Sequence, residues 1–177
     1  MRGLYRLLTR WWTAFALVAS LALLGFAHAS ETIWDLSACN LCLKAREVYW
    51  SAAAVALIAT IWHLVSRGSR GTPRIAAFLL AVIFATGAVT SAFHMGGELK
   101  WWSLPATCMG GGSVDLASMA SLALGSGPIE RVAMCDAVTW RFLGLSMAGW
   151  NALIAAALAV FSLLAAKRPK DARAPRS

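Results

Sequence analysis

Residues 39–65 read CNLCLKAREVYWSAAAVALIATIWHLV, and they contain the clearest structural signal in the chain. Two thiols, Cys39 and Cys42, come first; a short charged segment follows, and residues 48–65 then contain no Asp, Glu, Lys or Arg. A helix needs about 17–20 predominantly apolar residues to cross the hydrocarbon core of a bilayer. The stretch therefore predicts a membrane-spanning helix with a pair of thiols at its beginning.

Three further segments have the same apolar composition. They are residues 12–27, 75–93 and 145–166. Of all 177 residues, 59% are hydrophobic and 14% are charged, which is outside the usual range of a soluble domain. Only helices and closed barrels cross a bilayer, and these segments lack the alternation of barrel strands. We therefore predict an all-α membrane protein, a four-transmembrane-helix bundle that forms one domain over residues 1–177.

The positive charges predict the orientation of the bundle. Eleven of the 16 basic residues fall before the first span, between the second and third, or after the fourth. They are Arg2, Arg6, Arg10, Arg67, Arg70, Arg74, Lys167, Arg168, Lys170, Arg173 and Arg176. The positive-inside rule makes these parts cytoplasmic: the N-terminus, residues 66–74 and residues 167–177. Residues 28–46 and 94–144 then face outward. The net charge of +8 is therefore a topology signal, which argues against a nucleic-acid-binding surface.

All four cysteines fall in the two outward segments, at Cys39, Cys42, Cys108 and Cys135. In a bacterium the outer compartment is the periplasm, where disulfides persist. A c-type haem site would need His after the second cysteine of the C-x-x-C pair, and Leu43 stands there instead. A four-cysteine zinc site or two inert structural disulfides remain alternatives, but the pattern favours a redox-active pair.

The position of the pair at a helix start favours a thiolate. Ser37 fits a helix N-cap, which places Cys39 and Cys42 in the first turns of the second helix. The partial positive charge of a helix N-terminus stabilises a thiolate, and Arg46 adds a full charge on the face of Cys42. Arg46 either orients a bound cofactor or extends to the membrane surface.

The second outward segment contains ionisable side chains and a glycine-rich stretch. His94 and Glu98 share a helix face if the third helix continues that far, and they are candidates for a cofactor site, a proton path or a helix cap. Glycines 110–112 follow Cys108 after a single residue, and glycine-rich chain is flexible, so we do not expect that cysteine to be held rigidly. Residues 114–124 have the spacing of a short interfacial helix.

Taken together, these features resemble the DsbB family, bacterial inner-membrane proteins that form disulfides at the expense of quinone. The likeness covers nearly the whole chain in order. It includes the C-x-x-C pair with Arg46 at the second span, the two cysteines of the second outward segment, and the stretches 94–108 and 140–150. Lys44 and Ala45 depart from the best-known members, which leaves open a paralogue with a dedicated partner.

The resemblance implies a thiol:quinone oxidoreductase and a role for each cysteine. Cys108 would form the mixed disulfide with a periplasmic DsbA-type oxidase, and Cys135 would be its partner cysteine. Cys108 and Cys135 together form the loop pair, and Cys39 would exchange with this pair, most simply by meeting Cys135. Cys42 would face the ring of ubiquinone or menaquinone, with Arg46 beside it. His94 and Glu98 complete the predicted cofactor site, and no metal is predicted.

Three other interpretations remain at this stage. A non-enzymatic bundle with structural disulfides would need no quinone. An enzyme of the vitamin K epoxide reductase type would have its C-x-x-C pair near the end of the last helix, whereas here the pair opens the second. Residues 27–29 could also end a cleaved signal peptide. We expect residues 1–29 to be retained as the first span, and cleavage would leave the cysteines outside.

Overall fold

The computed structural model describes residues 8–36, 38–65, 73–105, 108, 134–136, 138 and 140–167. Its long helices are α1 (Trp12–Trp34), α2 (Asn40–Val65), α3 (Arg74–Glu98) and α4 (Met147–Ala166). Two short strands, β1 (Arg141–Phe142) and β2 (Leu145–Ser146), precede α4 as an antiparallel hairpin. Two sequence predictions, the N-cap at Ser37 and the interfacial helix over 114–124, lie outside the described residues.

All four long helices are apolar enough to cross a membrane, with mean hydropathy between 1.7 and 2.2. Large apolar side chains point away from the bundle, among them Ile58, Val65 and Ile75, which are 69%, 77% and 77% exposed. Such exposure suits contact with lipid, since a helix that is apolar on all sides is not a surface helix of a soluble protein. The predicted all-α, four-helix membrane fold is confirmed.

The helices extend beyond the apolar segments that predicted them. Helix α1 continues past residue 27 to Trp34, and α2 begins at Asn40, so both helices extend into the predicted outward segment 28–46. The polar residues at the end of α1 stay helical because their hydroxyls bond to carbonyls one turn earlier. Ser30 Oγ donates to Ala27 O (2.8 Å) and Thr32 Oγ1 donates to His28 O (3.2 Å). The possible cleavage sequence at 27–29 is therefore inside a continuous helix.

Small side chains let the helices approach closely. Helix α1 packs against α2, α2 against α3, and α3 against α4. Ala52, Ala56 and Ala77 are completely buried in the shared core around Phe84. Close backbone approach through small residues is the usual basis of helix association in lipid, where the hydrophobic effect between helices is absent.

The hairpin before α4 was not anticipated from the sequence. Leu143 and Gly144 occupy its two turn positions with φ of 50° and 82°, which are the left-handed values of a type I′ turn. Ser146 then caps α4, because its Oγ accepts a hydrogen bond of 3.2 Å from the backbone N–H of Gly149. The cap explains why α4 begins at Met147 and not at the predicted residue 145.

Candidate redox site at one end of the bundle

The four cysteines converge at the end of the bundle where α1 and α3 finish and α2 and α4 begin. Cys39, Cys108 and Cys135 are 3%, 5% and 0% exposed and form one buried cluster with Leu104. Cys42 is partly buried and packs against this cluster. Residues far apart in the sequence are therefore neighbours, and thiol exchange between the two pairs is possible without moving a helix.

The C-x-x-C pair sits at the N-terminus of α2, as its sequence position predicted. Cys39 Sγ lies 2.9 Å from Cys42 Sγ and accepts a 3.3 Å hydrogen bond from the Cys42 N–H. The hydrogen bond to the Cys42 thiol, followed by burial, raises the pKa of Cys39. Because Cys39 holds its proton, negative charge on the pair resides on Cys42, nearer to Arg46 and the helix dipole.

Cys39 also contacts the second pair. Cys39 and Cys135 lie together in the buried cluster. The Cys135 N–H donates to Cys108 O (3.0 Å), and the Cys108 N–H donates to Pro105 O (2.8 Å). These contacts place Cys135 beside both Cys39 and Cys108. The chain after α3 folds back and buries Cys108 in the cluster, a position that the glycine-rich sequence after it did not indicate.

Two glycines at the end of α3 allow this folding back. An added Cβ at Gly97 would lie 2.5 Å from Leu104 Cγ, and one at Gly96 would overlap the Trp102 ring. Trp102 stacks on Phe93 at 5.5 Å between ring centroids. A salt bridge of 2.7 Å between Lys100 and Asp136 also ties the residue after Cys135 to this end of α3; the hydrogen bond from Lys100 lowers the pKa of the Asp136 carboxyl.

We expect Gly97→Ala to loosen the cysteine cluster, because Leu104 must move out of the space that the new methyl group occupies. Overpacking of this kind costs about 1–3 kcal/mol. The readouts are the thermal unfolding temperature and the rate at which a maleimide labels Cys135. Gly25→Ala in α1 is the matched control, since nothing lies within 4 Å of its added Cβ. Equal effects of the two substitutions would contradict this account.

A cavity of about 350 Å³ opens beside the cluster. Its walls are mostly apolar and come from all four helices and the hairpin. They are Leu23, Leu24, Phe26, Ala27, Leu41, Cys42, Ala45, Arg46, Tyr49, Ser91, His94, Trp140, Phe142, Met147, Ala148, Trp150, Asn151 and Ile154. Cys42 lines this cavity and Cys39 does not. The two cysteines of one pair therefore face different neighbours: Cys42 faces the cavity and Cys39 faces the loop pair.

Arg46 lines the same cavity, with its side chain 14% exposed. Its Nη1 donates to Glu31 Oε2 at 2.8 Å, and its Nη2 donates to Ala27 O at 3.3 Å. Both partners belong to α1, so α1 fixes the guanidinium next to Cys42. Sequence reasoning missed Glu31. The available signal was an acidic residue at the outer end of one span opposite a lone arginine at the outer end of the next.

His94 stands between the two thiol pairs. Its Nε2 is 3.0 Å from Cys135 O, 3.7 Å from Cys39 Sγ and 3.7 Å from Glu98 Oε1. Glu98 is buried behind it; its Oε2 has no hydrogen-bond partner among the described residues, and it is not one of the cavity-lining residues. The i,i+4 arrangement predicted for the two side chains is present because α3 continues to Glu98.

Three of these side chains have metal-ligand chemistry. The donor atoms of Cys39, Cys42 and His94 lie within 4.8 Å of one another. Structural zinc sites take four ligands, and no fourth residue completes this group within the part of the chain that the structure describes. The absence of a metal stays a prediction.

A second polar group lines the cavity further from the cysteines, and sequence reasoning missed it. Tyr49 Oη donates to Asn151 Oδ1 (2.5 Å), and Asn151 Nδ2 donates to Ser91 Oγ (2.6 Å). The three residues come from α2, α4 and α3. The signal in the sequence was Asn151, an amide within an apolar span, because polar residues inside the membrane are seldom without a function.

Fold and site together define a multi-pass membrane protein with a buried cluster of two thiol pairs beside an apolar cavity. The family model described as disulfide bond formation protein DsbB matches residues 9–165. Relatives named disulfide bond formation protein B are each 30% identical to this chain. That of Aromatoleum aromaticum aligns over 88% of this chain and 90% of its own length, and that of Marinobacter nauticus over 92% and 96%.

The chain therefore belongs to the DsbB family, as the sequence resemblance indicated. Disulfide bond formation is the activity that this membership supports. No solved structure gives a significant match.

Proposed function

We propose that this protein is a thiol:quinone oxidoreductase that reoxidises a periplasmic DsbA-type oxidase and passes two electrons to a membrane quinone. One observation carries the proposal: Cys42 lines an apolar cavity while Cys39, its partner, contacts Cys135. Electrons that arrive at the loop pair can then leave at the cavity through a single C-x-x-C pair.

The first exchange takes place at Cys108. A thiolate of the reduced partner attacks Sγ of Cys108 in the Cys108–Cys135 disulfide, which forms a mixed disulfide and releases Cys135 as a thiolate. Since Cys108 is buried here, the loop must leave the end of α3 for this step. The described arrangement, with Cys135 against Cys39, fits the next step instead.

In the second exchange, Cys135 attacks Cys39 in the Cys39–Cys42 disulfide, and Cys42 leaves as a thiolate. The helix N-terminus and Arg46 stabilise the negative charge of this leaving thiolate, which favours the exchange. The partner's second thiol then attacks the partner's first sulfur, the one bonded to Cys108. This releases the oxidised partner and leaves Cys108 as a thiolate. Cys108 then restores the loop disulfide by attacking Cys135, and Cys39 and Cys42 remain reduced.

The cavity fits the head group of a quinone. Its volume of about 350 Å³ lies within the range of ligand sites, and its walls are apolar with a few polar groups beside Cys42. A quinone, either ubiquinone or menaquinone, supplies an acceptor for two electrons and two protons when bound. Arg46 and His94 would hold it and stabilise negative charge, and His94 and Glu98 would pass protons from the cluster.

The energetics explain why such an acceptor is needed. DsbA has a reduction potential of about −120 mV, the highest of the common thiol catalysts, and each 30 mV of mismatch in a two-electron couple corresponds to about 1.4 kcal/mol. Ordinary disulfides therefore cannot reoxidise it. We also propose the bacterial inner membrane as the location, with both termini cytoplasmic and the cysteine end of the bundle in the periplasm, on the basis of the charge distribution.

The proposal is tested with the purified full-length protein in detergent, a reduced DsbA-type partner and ubiquinone. We expect the quinone absorbance to fall and one partner disulfide to form for each quinone consumed. A partner whose own cysteines are replaced by serine is the control and should leave the quinone oxidised. If the wild-type protein consumed no quinone with every DsbA-type partner supplied, the proposal would be contradicted.

A further inference from the structure

The cavity has two polar layers at different depths. The outer layer contains Arg46 and His94, next to Cys42. The inner layer is the hydrogen-bonded chain of Tyr49, Asn151 and Ser91. Tyr49 follows Arg46 by three residues on α2, and Ser91 precedes His94 by three residues on α3, which runs the opposite way. At a rise of 1.5 Å per residue the two layers are roughly 4.5 Å apart along the helix axes.

This separation corresponds to the size of a quinone ring. The two carbonyl oxygens of a 1,4-quinone lie on opposite sides of a six-membered ring, roughly 5 Å apart given C=O bonds of about 1.2 Å. One oxygen can therefore approach the Arg46 layer while the other approaches the Asn151 layer. The cavity walls also include three aromatic side chains: Trp140 before the hairpin, Phe142 in the hairpin and Trp150 in α4.

The inner layer contains a hydrogen-bond donor, the side-chain amide of Asn151. Asn151 Nδ2 carries two hydrogens, and Ser91 accepts one of them; no other described residue accepts the second. Tyr49 donates to the amide oxygen, which fixes the orientation of the amide group so that its NH₂ end is held towards Ser91. The side chains of Tyr49 and Asn151 both line the cavity, so a carbonyl oxygen that enters the cavity can reach the amide of Asn151.

We propose that Asn151, oriented by Tyr49 and Ser91, is a second carbonyl-binding site that determines how the quinone ring sits in the cavity. The inference rests on the proposed function and specifies its substrate site. Asn151 donates to the carbonyl remote from Cys42, while Arg46 and His94 serve the carbonyl beside it.

A purely structural role for the same chain is the competing explanation. Hydrogen bonds between three helices also stabilise a bundle in lipid. A structural role predicts a loss of stability with no change at the quinone. The proposed role predicts a change at one carbonyl only, and vibrational spectroscopy can observe that directly.

The experiment uses ubiquinone labelled with ¹³C at either carbonyl, bound to the full-length protein, and infrared difference spectra. In the wild-type protein we expect both carbonyl bands at lower frequency than in free quinone. Asn151→Leu should return one band to the free frequency and raise KM for ubiquinone roughly 3- to 10-fold, the range for loss of one hydrogen bond. Tyr49→Phe, which keeps the ring and releases the amide, should produce a smaller change in the same band.

Leu153→Ala is the matched control, because Leu153 lies on the same helix, is 55% exposed and does not line the cavity. It should change neither band nor KM. If wild-type protein reduces quinone while both Asn151→Leu and Tyr49→Phe leave KM and both bands unaltered, the second carbonyl site is wrong and the proposed function stands. A wild-type protein that neither binds nor reduces quinone would overturn both. Should Asn151→Leu fail to fold, Tyr49→Phe alone decides.

Discussion

Replacing Cys42 with serine is expected to abolish quinone reduction, by at least about 10³-fold, as is usual when a reacting nucleophile is removed. Cys42 is the sulfur of the pair that lines the cavity, and no other cysteine among the described residues does so. Cys39 keeps its contact with Cys135 in this variant. The freed Cys39 can attack Cys135 in the Cys108–Cys135 disulfide and release Cys108 as a thiolate. Alkylation of Cys108 should then trap a Cys39–Cys135 disulfide, because Cys108 can no longer reverse the exchange.

The trapped species can be measured by blocking free thiols with an alkylating reagent and identifying disulfide-linked peptides by mass spectrometry. Cys39→Ser is the paired variant. It should also be inactive with quinone, but it cannot form the Cys39–Cys135 link and should keep the loop disulfide. A Cys42→Ser protein that still reduces quinone, or that accumulates a Cys39–Cys108 link instead, would contradict the roles assigned to the two faces of the pair.

Arg46→Met is expected to lower kcat/KM for quinone by about 10- to 100-fold, the range for removal of a charged hydrogen-bonding partner. The guanidinium is held inside the cavity by Glu31 and Ala27, next to the sulfur that carries the negative charge of the pair. Its loss should also slow alkylation of Cys42 at neutral pH, because less of that cysteine is present as thiolate. Steady-state kinetics and timed alkylation measure the two effects.

Lys44→Met provides the matched control for the lost charge. Lys44 is on the same helix, its side chain is 60% exposed, and it pairs with Glu47 at 3.1 Å outside the cavity. We expect a change of less than about twofold there, as for most exposed ion pairs. Glu31→Gln should reduce activity only in a chain that retains Arg46, because Glu31 acts by positioning Arg46; additive effects in the double variant would contradict that role.

Much of the fold could be predicted because the deciding signals are local or topological. Hydropathy gave the four helices, although their ends differ, since polar residues such as Thr32 and Glu98 continue a helix beyond the lipid that limits an apolar segment. The thiol pair at the start of α2 followed from residue order. The hairpin over 141–146 was missed because its turn has Leu143 where type I′ turns prefer Asn, Asp or Gly.

The candidate site was predicted as a set of residues and not as an arrangement. The cysteines, Arg46 and His94 could be named because thiols, a lone cation and an imidazole at the edge of a span are chemically conspicuous. Glu31 and Asn151 could not be connected to them, since each lies on another helix and its contact depends on how that helix is rotated. The burial of Cys108 was also beyond sequence reasoning, which took the nearby glycine-rich stretch to mean that this cysteine is not held rigidly.

The order and composition of the residues were enough to predict that the chain crosses a membrane four times and that its cysteines share one end of the bundle. Segments after the first and third crossings of any such chain lie on the same side, whatever the packing. Only the tertiary structure decided that Cys39 faces the loop pair and Cys42 the cavity, and which polar side chains surround that cavity. Those facts depend on the rotation and close approach of helices, which the small residues of the interfaces permit but do not encode within any single segment.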